Sequence, residues 1–319
     1  MTAMNRTDAA CFFAERDRFC ILTHRRPDGD TVGSAAALCL GLRSMGKEAH
    51  ILENPELTDR FAYLHEGLTV TAPAEGDVLV SVDVAAPNML PKAFEPYRDR
   101  IALRIDHHGT STSFTELELV DPKAGACAEI IYDVLMELWL TLDEKMATAI
   151  YVATSTDTGC FRFANTTDHT FVVAAACAAA GAKIYELNQA LFETISLSRL
   201  RMQGWMVENC KLFCDGRLAI CPIPKAVEQE LGVTEDDMDN ISSFLRTIAG
   251  VRLAATLRET DGEAVKISVR GVPGYDAGAV CAKFGGGGHA GAAGGSIRLP
   301  LQEAAAALEQ AMAEQENNR

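Results

Sequence analysis

Along the first half of the chain, short β-type apolar runs alternate with longer stretches of helical periodicity. FCILTH, EAHILE, DVLVSVDV and IALRIDHH predict strands, and helices are predicted at about 31–45, 125–140 and 143–155. Alternation of this kind predicts an α/β domain, a mostly parallel sheet with helices on both faces. In such sheets ligands collect beyond the carboxyl ends of the strands. His24, Asp83 and the Asp106-His107-His108 triplet each stand where a predicted strand runs out.

Past residue 183 a helical pattern, IYELNQALFETISLSRLRMQGWMVENC, predicts a packed helix and then a connecting one. A second β-rich unit starts at GRLAICPIP, continues through RLAATLRET and AVKISVRG, and ends in FGGGGHAGAAGGSIRL and a polar helix. The change of period divides the chain into a larger domain over 1–192, a helical linker over 193–209 and a smaller α/β domain over 210–319. The longest apolar run, 171–182, is too short to cross a bilayer and reads as a buried helix. The N-terminal segment has no signal-peptide core, so a cytoplasmic protein without a membrane partner is expected.

Composition narrows the function. With 319 residues, 48% hydrophobic content and a net charge of −15, the chain is no duplex-DNA binder, because counterion-release binding needs a basic surface. The ten cysteines are scattered without a CxxC pair. Cys210 and Cys214 have no second pair to complete a zinc site, so free thiols in a reducing compartment are expected.

The segment THRRPDGDTVGS packs an imidazole, His24, and two carboxylates, Asp28 and Asp30, into one strand-to-helix turn. Helix capping would account for Asp30 but not for the other two. Carboxylates this close repel each other unless cations hold them. Gly29 is expected to free the backbone so that both point inward, and Gly33 and Ser34 to let the helix start close by. Asp157, in ATSTDTGCFRF, adds a fourth acid in a Thr/Ser/Gly loop. Mixed His and Asp donors suit Mn²⁺, Mg²⁺, Fe²⁺ or Zn²⁺. Gly286, Gly288 and Gly291 match a dinucleotide-binding spacing, but a helical segment rather than a strand precedes them, which argues against that reading.

The order HxxPDGDxxGS, a strand-end Asp, DHH and TDTGxFRF resembles the DHH phosphoesterase superfamily. VKISVRG followed by GGGGHAGAAGG is similar to that family's associated C-terminal substrate-binding domain. Chain length and both tail motifs resemble the short oligoribonucleases that also act as pAp phosphatases. The resemblance implies two divalent ions, Mn²⁺ first, with Mg²⁺ or Fe²⁺ as alternatives. It assigns His24, Asp28 and Asp83 to one ion and Asp30, His107, Asp157 and a bridging Asp83 to the other. Asp106 would orient a ligand and His108 would face the scissile phosphate.

In the smaller domain, backbone amides at Gly286, Gly287 and Gly288 can approach an anion with no Cβ in the way. His289 adds a donor, Arg270 offers a planar fork, and Arg162 is a further phosphate ligand candidate. The implied activity is hydrolysis of short oligoribonucleotides to mononucleotides, and of pAp to AMP, by a hydroxide activated between the two ions. The partners implied are short oligoribonucleotides and nucleotide bisphosphates, with a homodimer left open. Cyclic or linear dinucleotide hydrolysis is the main alternative; a RecJ-like exonuclease, a pyrophosphatase and a nucleotide-sensing module rank lower.

Overall fold

In the computed structural model, which describes residues 2–238, 240–262 and 264–317, the chain divides at residue 193 into two units. The first carries strands β1 (Thr2–Ala3), β2 (Arg18–Leu22), β3 (Glu48–Leu52), β4 (Thr69–Val70), β5 (Val78–Val82), β6 (Ile101–Asp106) and β7 (Leu117–Val120). They pair in parallel throughout, in the order β1-β7-β6-β5-β2-β3-β4. The four predicted strands are β2, β3, β5 and β6. The other three have two to four residues each, too short for a period to register.

Helices of this unit are α1 (Arg6–Ala14), α2 (Gly29–Ser44), α3 (Asp59–Ala62), α4 (Cys127–Glu137), α5 (Glu144–Asp157), α6 (Asp168–Ala179) and α7 (Ile184–Asn188). Strand alternation assigns the two faces of the sheet. Phe19 and Ile21 of β2 join the core built with α1, α2, α4 and α5. Cys20 and Leu22 point the other way, into a smaller cluster with Phe94 of the 3₁₀ helix Lys92–Arg100. Both faces are thus covered by helix, α-helices on one and a 3₁₀ helix on the other.

The chain leaves β2 toward β3 and β4 on one side, and β5 to β7 build the other side. The sheet therefore reverses direction between β2 and β5, the switch point at which parallel sheets open a ligand crevice. Close approach of α2 to α5 frames that point. A Cβ on Gly33 would stand 2.3 Å from the Ala149 carbonyl oxygen of α5, so only glycine fits. Helix α6 departs from the buried helix expected: Val173 and Cys177 are buried, but Phe171 and Val172 are each 56% exposed.

The second unit contains α8 (Leu197–Asn209), β8 (Lys211–Phe213), β9 (Leu218–Ile223), α9 (Lys225–Leu231), α10 (Glu235–Met238), α11 (Ser242–Leu245), β10 (Leu253–Glu259), β11 (Val265–Gly271), α12 (Ala277–Ala282), β12 (Gly287–Gly288), β13 (Ala292–Ile297) and α13 (Leu301–Asn317). Its sheet runs β12-β13-β11-β10-β9-β8, with β9 and β10 parallel and the other pairs antiparallel. Helix α13 packs Leu308 and Met312 against Leu218, Leu253 and Ile267. Helix α8 lies in the stretch expected as a linker, yet Met202 and Met206 are wholly buried against Ala219, Cys221 and Ala254. It is part of this unit's core rather than a free connection. Among the described residues no helix is long and apolar enough to cross a membrane.

Gly33→Ala is expected to cost about 1–3 kcal/mol, because the new methyl must push α2 off α5. Chemical denaturation measures this; an unchanged midpoint would show that the two helices are not in this contact.

Candidate metal centre

Three neighbouring strands, β2, β5 and β6, end side by side, and each delivers its ligand candidates at the carboxyl end. Thr31, in the first turn of α2, ties two of these ends together. Its hydroxyl donates to the Val82 carbonyl at 3.0 Å and accepts from the His24 amide at 3.4 Å. His24 donates Nδ1–H to the Arg25 carbonyl at 2.8 Å, because a carbonyl can only accept. Nε2 is then the nitrogen open to a ligand, 3.4 Å from Asp83 Oδ2 and 3.6 Å from Asp28 Oδ1.

Asp28 is the N-cap of α2, with Oδ1 accepting the Asp30 and Thr31 amides at 3.0 and 3.2 Å. Asp30, 1% exposed, is held differently. Its Oδ2 accepts the Cys127 amide at 2.6 Å, and its Oδ1 accepts the Ala128 amide and the Ser34 hydroxyl, each at 3.0 Å. Cys127 and Ala128 open α4, whose own N-cap residue, Ala126, supplies no side-chain cap. Asp30 therefore caps a helix 97 residues away, and that helix end in turn favours its charge.

Asp83, 2% exposed, follows β5 directly, with φ at +59° in the left-handed region. Its Oδ2 faces His24, while Oδ1 is buried with no hydrogen-bond partner, 3.6 Å from His107 Nε2 and 3.5 Å from His108 Nδ1. A buried carboxylate oxygen without a donor is costly and implies a ligand of its own. His107 directs Nδ1–H to the Ala124 carbonyl at 3.2 Å and Nε2 toward Asp30, Asp83 and Asp157 at 3.6–3.7 Å.

Asp106 is wholly buried. Its Oδ1 accepts the His107 and His108 amides at 2.8 and 3.2 Å and His108 Nδ1–H at 2.7 Å. Asp157 ends α5, and Asn165 Nδ2 donates to both its Oδ2 and its main-chain carbonyl at 3.2 Å.

Electrostatics express the crowding of acids. Burial pushes the Asp30 carboxyl well up, with the Asp83 charge adding to it. Burial likewise raises Asp157 to about 7 against the pull of His107. Burial alone would depress His107, but Asp30, Asp83 and Asp157 overcome it and hold the imidazole at about 9.

The site brings together, within 4.8 Å of one another, ligand atoms of His24, Asp28 and Asp83, of Asp30, His107 and Asp157, and of Asp83, His107 and His108. Asp83 is shared between groups on both sides. Imidazole nitrogens and carboxylate oxygens, with an orphaned buried oxygen between them, fit divalent cations of the first transition row.

Gly29 has a role other than the one expected. Its backbone is not left-handed. A Cβ there would lie 2.2 Å from Thr156 Oγ1, so glycine lets α5 deliver Asp157 beside α2. Arg162 is exposed and donates Nε–H to the Gly159 carbonyl at 2.6 Å.

In the second unit the Gly-rich run is a β-hairpin limb rather than an open loop. Gly287 and Gly288 pair with Gly294 and Ala293, and the Gly286 and His289 amides donate to the Cys281 and Ala292 carbonyls. Gly286 is needed for packing, since a Cβ would meet the Gly294 carbonyl at 2.4 Å. Arg270 lies on the same sheet, donating to Asn240 Oδ1, Ser268 Oγ and the Val269 carbonyl at 3.0–3.1 Å.

Sequence reasoning passed over Arg104 and Asn165, which brace ligand candidates from behind. A charge inside the otherwise apolar run IALRID was the available signal for Arg104.

Residues 18–154 match the DHH family, N-terminal domain, and residues 222–314 match the DHHA1 domain. The chain is 33% identical over 287 residues to the bifunctional oligoribonuclease and PAP phosphatase NrnA of Thermus thermophilus, covering 89% of this chain and 86% of that one. It is 28% identical to the protein of the same name from Bacillus subtilis, over 88% and 90% of the two chains. In fold it superposes on an exopolyphosphatase-related protein of Bacteroides fragilis with a TM-score of 0.85 at 24% identity, over 97% and 96% of the chains.

Because Asp157 and His107 hold protons more tightly folded than unfolded, metal-free protein should lose stability as pH rises from about 4 through 7 and on through 9. Mn²⁺ competes with those protons, so its stabilisation should grow over the same interval. Thermal melts in EDTA and in Mn²⁺ at pH 6 and pH 8.5 test this. An equal Mn²⁺ shift at both values would separate metal binding from these groups.

Proposed function

We propose that this chain, which belongs to the DHH family and is a metal-dependent phosphoesterase, hydrolyses short oligoribonucleotides to mononucleotides and pAp to AMP in the cytoplasm. The observation that carries the chemistry is Asp83, one carboxylate with its two oxygens turned to different histidines and with no donor of its own on Oδ1. The substrate class is supported by relatives named for oligoribonuclease and PAP phosphatase activity that align over almost the whole chain. The net charge of −15 also favours short substrates, whose few phosphates need few cationic contacts.

His24, Asp28 and Asp83 would hold one divalent ion, and Asp30, His107, Asp157 and the shared Asp83 a second, with Mn²⁺ the first choice and Mg²⁺ or Fe²⁺ the alternatives. Bound there, such ions supply Lewis acidity toward phosphate and lower the pKa of water. The protein's own residues contribute orientation and proton control. The Arg25 and Ala124 carbonyls fix the tautomers of His24 and His107, so each presents Nε2 to its ion.

Asp106 holds His108 through Nδ1, which leaves exchange of a proton with the substrate to Nε2. The Asp106 charge favours the protonated ring, the form able to stabilise a phosphate oxygen or to donate to the leaving group. Arg270, with its guanidinium oriented by Asn240 and Ser268, is the proposed phosphate ligand of the second unit, together with the His289 ring and the Gly287–Gly288 backbone, whereas the Gly286 amide expected to join them is already donated to the Cys281 carbonyl. Arg162 is a further phosphate contact in the proposal.

The testing experiment gives Mn²⁺-loaded protein pAp, pApA, a five-mer, a long oligomer, cyclic di-AMP and pyrophosphate, and follows product release. Fast turnover of the short linear substrates is expected. Preference for the long oligomer, cyclic di-AMP or pyrophosphate would overturn the substrate assignment. Asp83→Asn, which tolerates the left-handed backbone, is expected to lower turnover by on the order of a thousandfold without lowering the melting temperature in EDTA. Retained activity would remove Asp83 from the shared position. Arg270→Ala should raise KM far more than it lowers kcat; the opposite split would place Arg270 in the transition state.

A further inference from the structure

Arg104 stands out as the largest fully buried side chain among the described residues, 1% exposed in the middle of the sheet on β6. A strand covered on both faces has no need of a cation, and burying one costs several kcal/mol unless its partners are well placed. Three of its partners, Asp106 and the Val84 and Ala85 carbonyls, adjoin the candidate metal centre. Nη1 donates to the Val84 and Ala85 carbonyls at 3.3 Å and to Asp106 Oδ2 at 3.2 Å. Nη2 donates to Ser111 Oγ at 3.2 Å and Glu118 Oε2 at 3.1 Å, and the guanidinium carbon lies 5.5 Å from the Phe114 ring centre. Glu118 accepts in turn from Ser113 and the Phe114 amide, so the loop after the histidines closes on the same cation.

Two features of the site depend on these bonds. Asp83 sits in a left-handed conformation that a non-glycine residue holds only when its surroundings over-determine it, at a cost of about 1–3 kcal/mol. The next two carbonyls, of Val84 and Ala85, are those that Arg104 grips. Asp106 spends Oδ1 on three donors from the histidine pair, and Arg104 holds the opposite oxygen. One guanidinium therefore fixes both the proposed bridging carboxylate and the carboxylate that orients His108.

We propose that Arg104 is a positioning residue of the hydrolytic site, setting Asp83 for metal binding through the Val84 and Ala85 carbonyls and setting His108 through Asp106. This rests on the metal-dependent phosphoesterase reading above. A purely structural ion pair with Glu118 predicts something different: replacing both charges together would leave function intact. Lysine cannot stand in fully, because a single ammonium lacks the fork that reaches Asp106 and Glu118 at once.

The test is the double variant Arg104→Met/Glu118→Gln, which removes the buried cation together with the Glu118 charge while Asp106 keeps its three bonds from the histidine pair, beside Arg104→Lys. Each is measured for melting temperature, kcat, KM on a short oligoribonucleotide and Mn²⁺ affinity by titration calorimetry. The double variant is expected to melt close to the native protein, with kcat down about 10–100-fold, Mn²⁺ affinity down by a similar factor and KM changed less than about threefold. Arg104→Lys should show the same pattern in smaller degree, and it carries the test if the double variant does not fold. Native kcat and native Mn²⁺ affinity in either folded variant would overturn the proposal. Should the native protein hydrolyse no short oligoribonucleotide, the substrate reading fails, while the Mn²⁺ affinities still decide the role of Arg104.

Discussion

Mutual repulsion among carboxylates is the constraint around which the N-terminal unit is organised. Asp28, Asp30, Asp83 and Asp157 converge on two imidazoles, with Asp30 and Asp83 buried from water, Asp157 partly buried and Asp28 exposed. Each acid is restrained by a different device. Asp28 is held by the amides of its own helix, Asp30 by the amides that open α4, and Asp157 by the Asn165 amide. Asp106, directly behind, is neutralised by Arg104 and His108. Asp83 alone keeps a buried oxygen without a donor. A cation bound at Asp83, as proposed, would relieve that cost.

The sheet makes that convergence geometrically possible. Parallel strands direct all their carboxyl ends to one edge, and the reversal between β2 and β5 leaves room there. Small residues do the rest. Gly29 and Gly33 remove the side chains that would hold α2 away from α5, and α5 then ends with Asp157 at the site. Packing of two helices against each other thus becomes placement of a candidate ligand.

Orientation of the candidate ligands depends on a layer of residues outside the three ligand clusters. Thr31 and the Arg25 and Ala124 carbonyls set His24 and His107, and Asp106 sets His108. Thr31 and Asp106 in this layer are wholly buried, and the Thr31 bond to Val82 joins segments 51 residues apart in the chain. That burial gives them precision, since an enclosed donor with its acceptors satisfied has few other conformations to visit.

Much of the site could be read directly from the chain, because its elements are local. A strand period, the turn chemistry of Pro-Asp-Gly-Asp and the DHH triplet are properties of a few consecutive residues, and the family resemblance rests on their order. The sequence by itself therefore determined the α/β class, the four central strands and which histidines and aspartates stand at strand ends.

Other features depend on distances between segments, which only tertiary structure decided. That Asp30 caps α4, that Gly29 clears Thr156, that the Gly-rich run pairs as β12 with β13, and that α8 packs inside the second unit all follow from pairing and packing. Arg104 shows the boundary most sharply: its charge in an apolar strand was visible, but the five groups it holds come from β6, from β7 and from the segments that follow β5 and β6. No period along one strand encodes those neighbours, because side-chain partners across a sheet are chosen by register and burial rather than by sequence spacing.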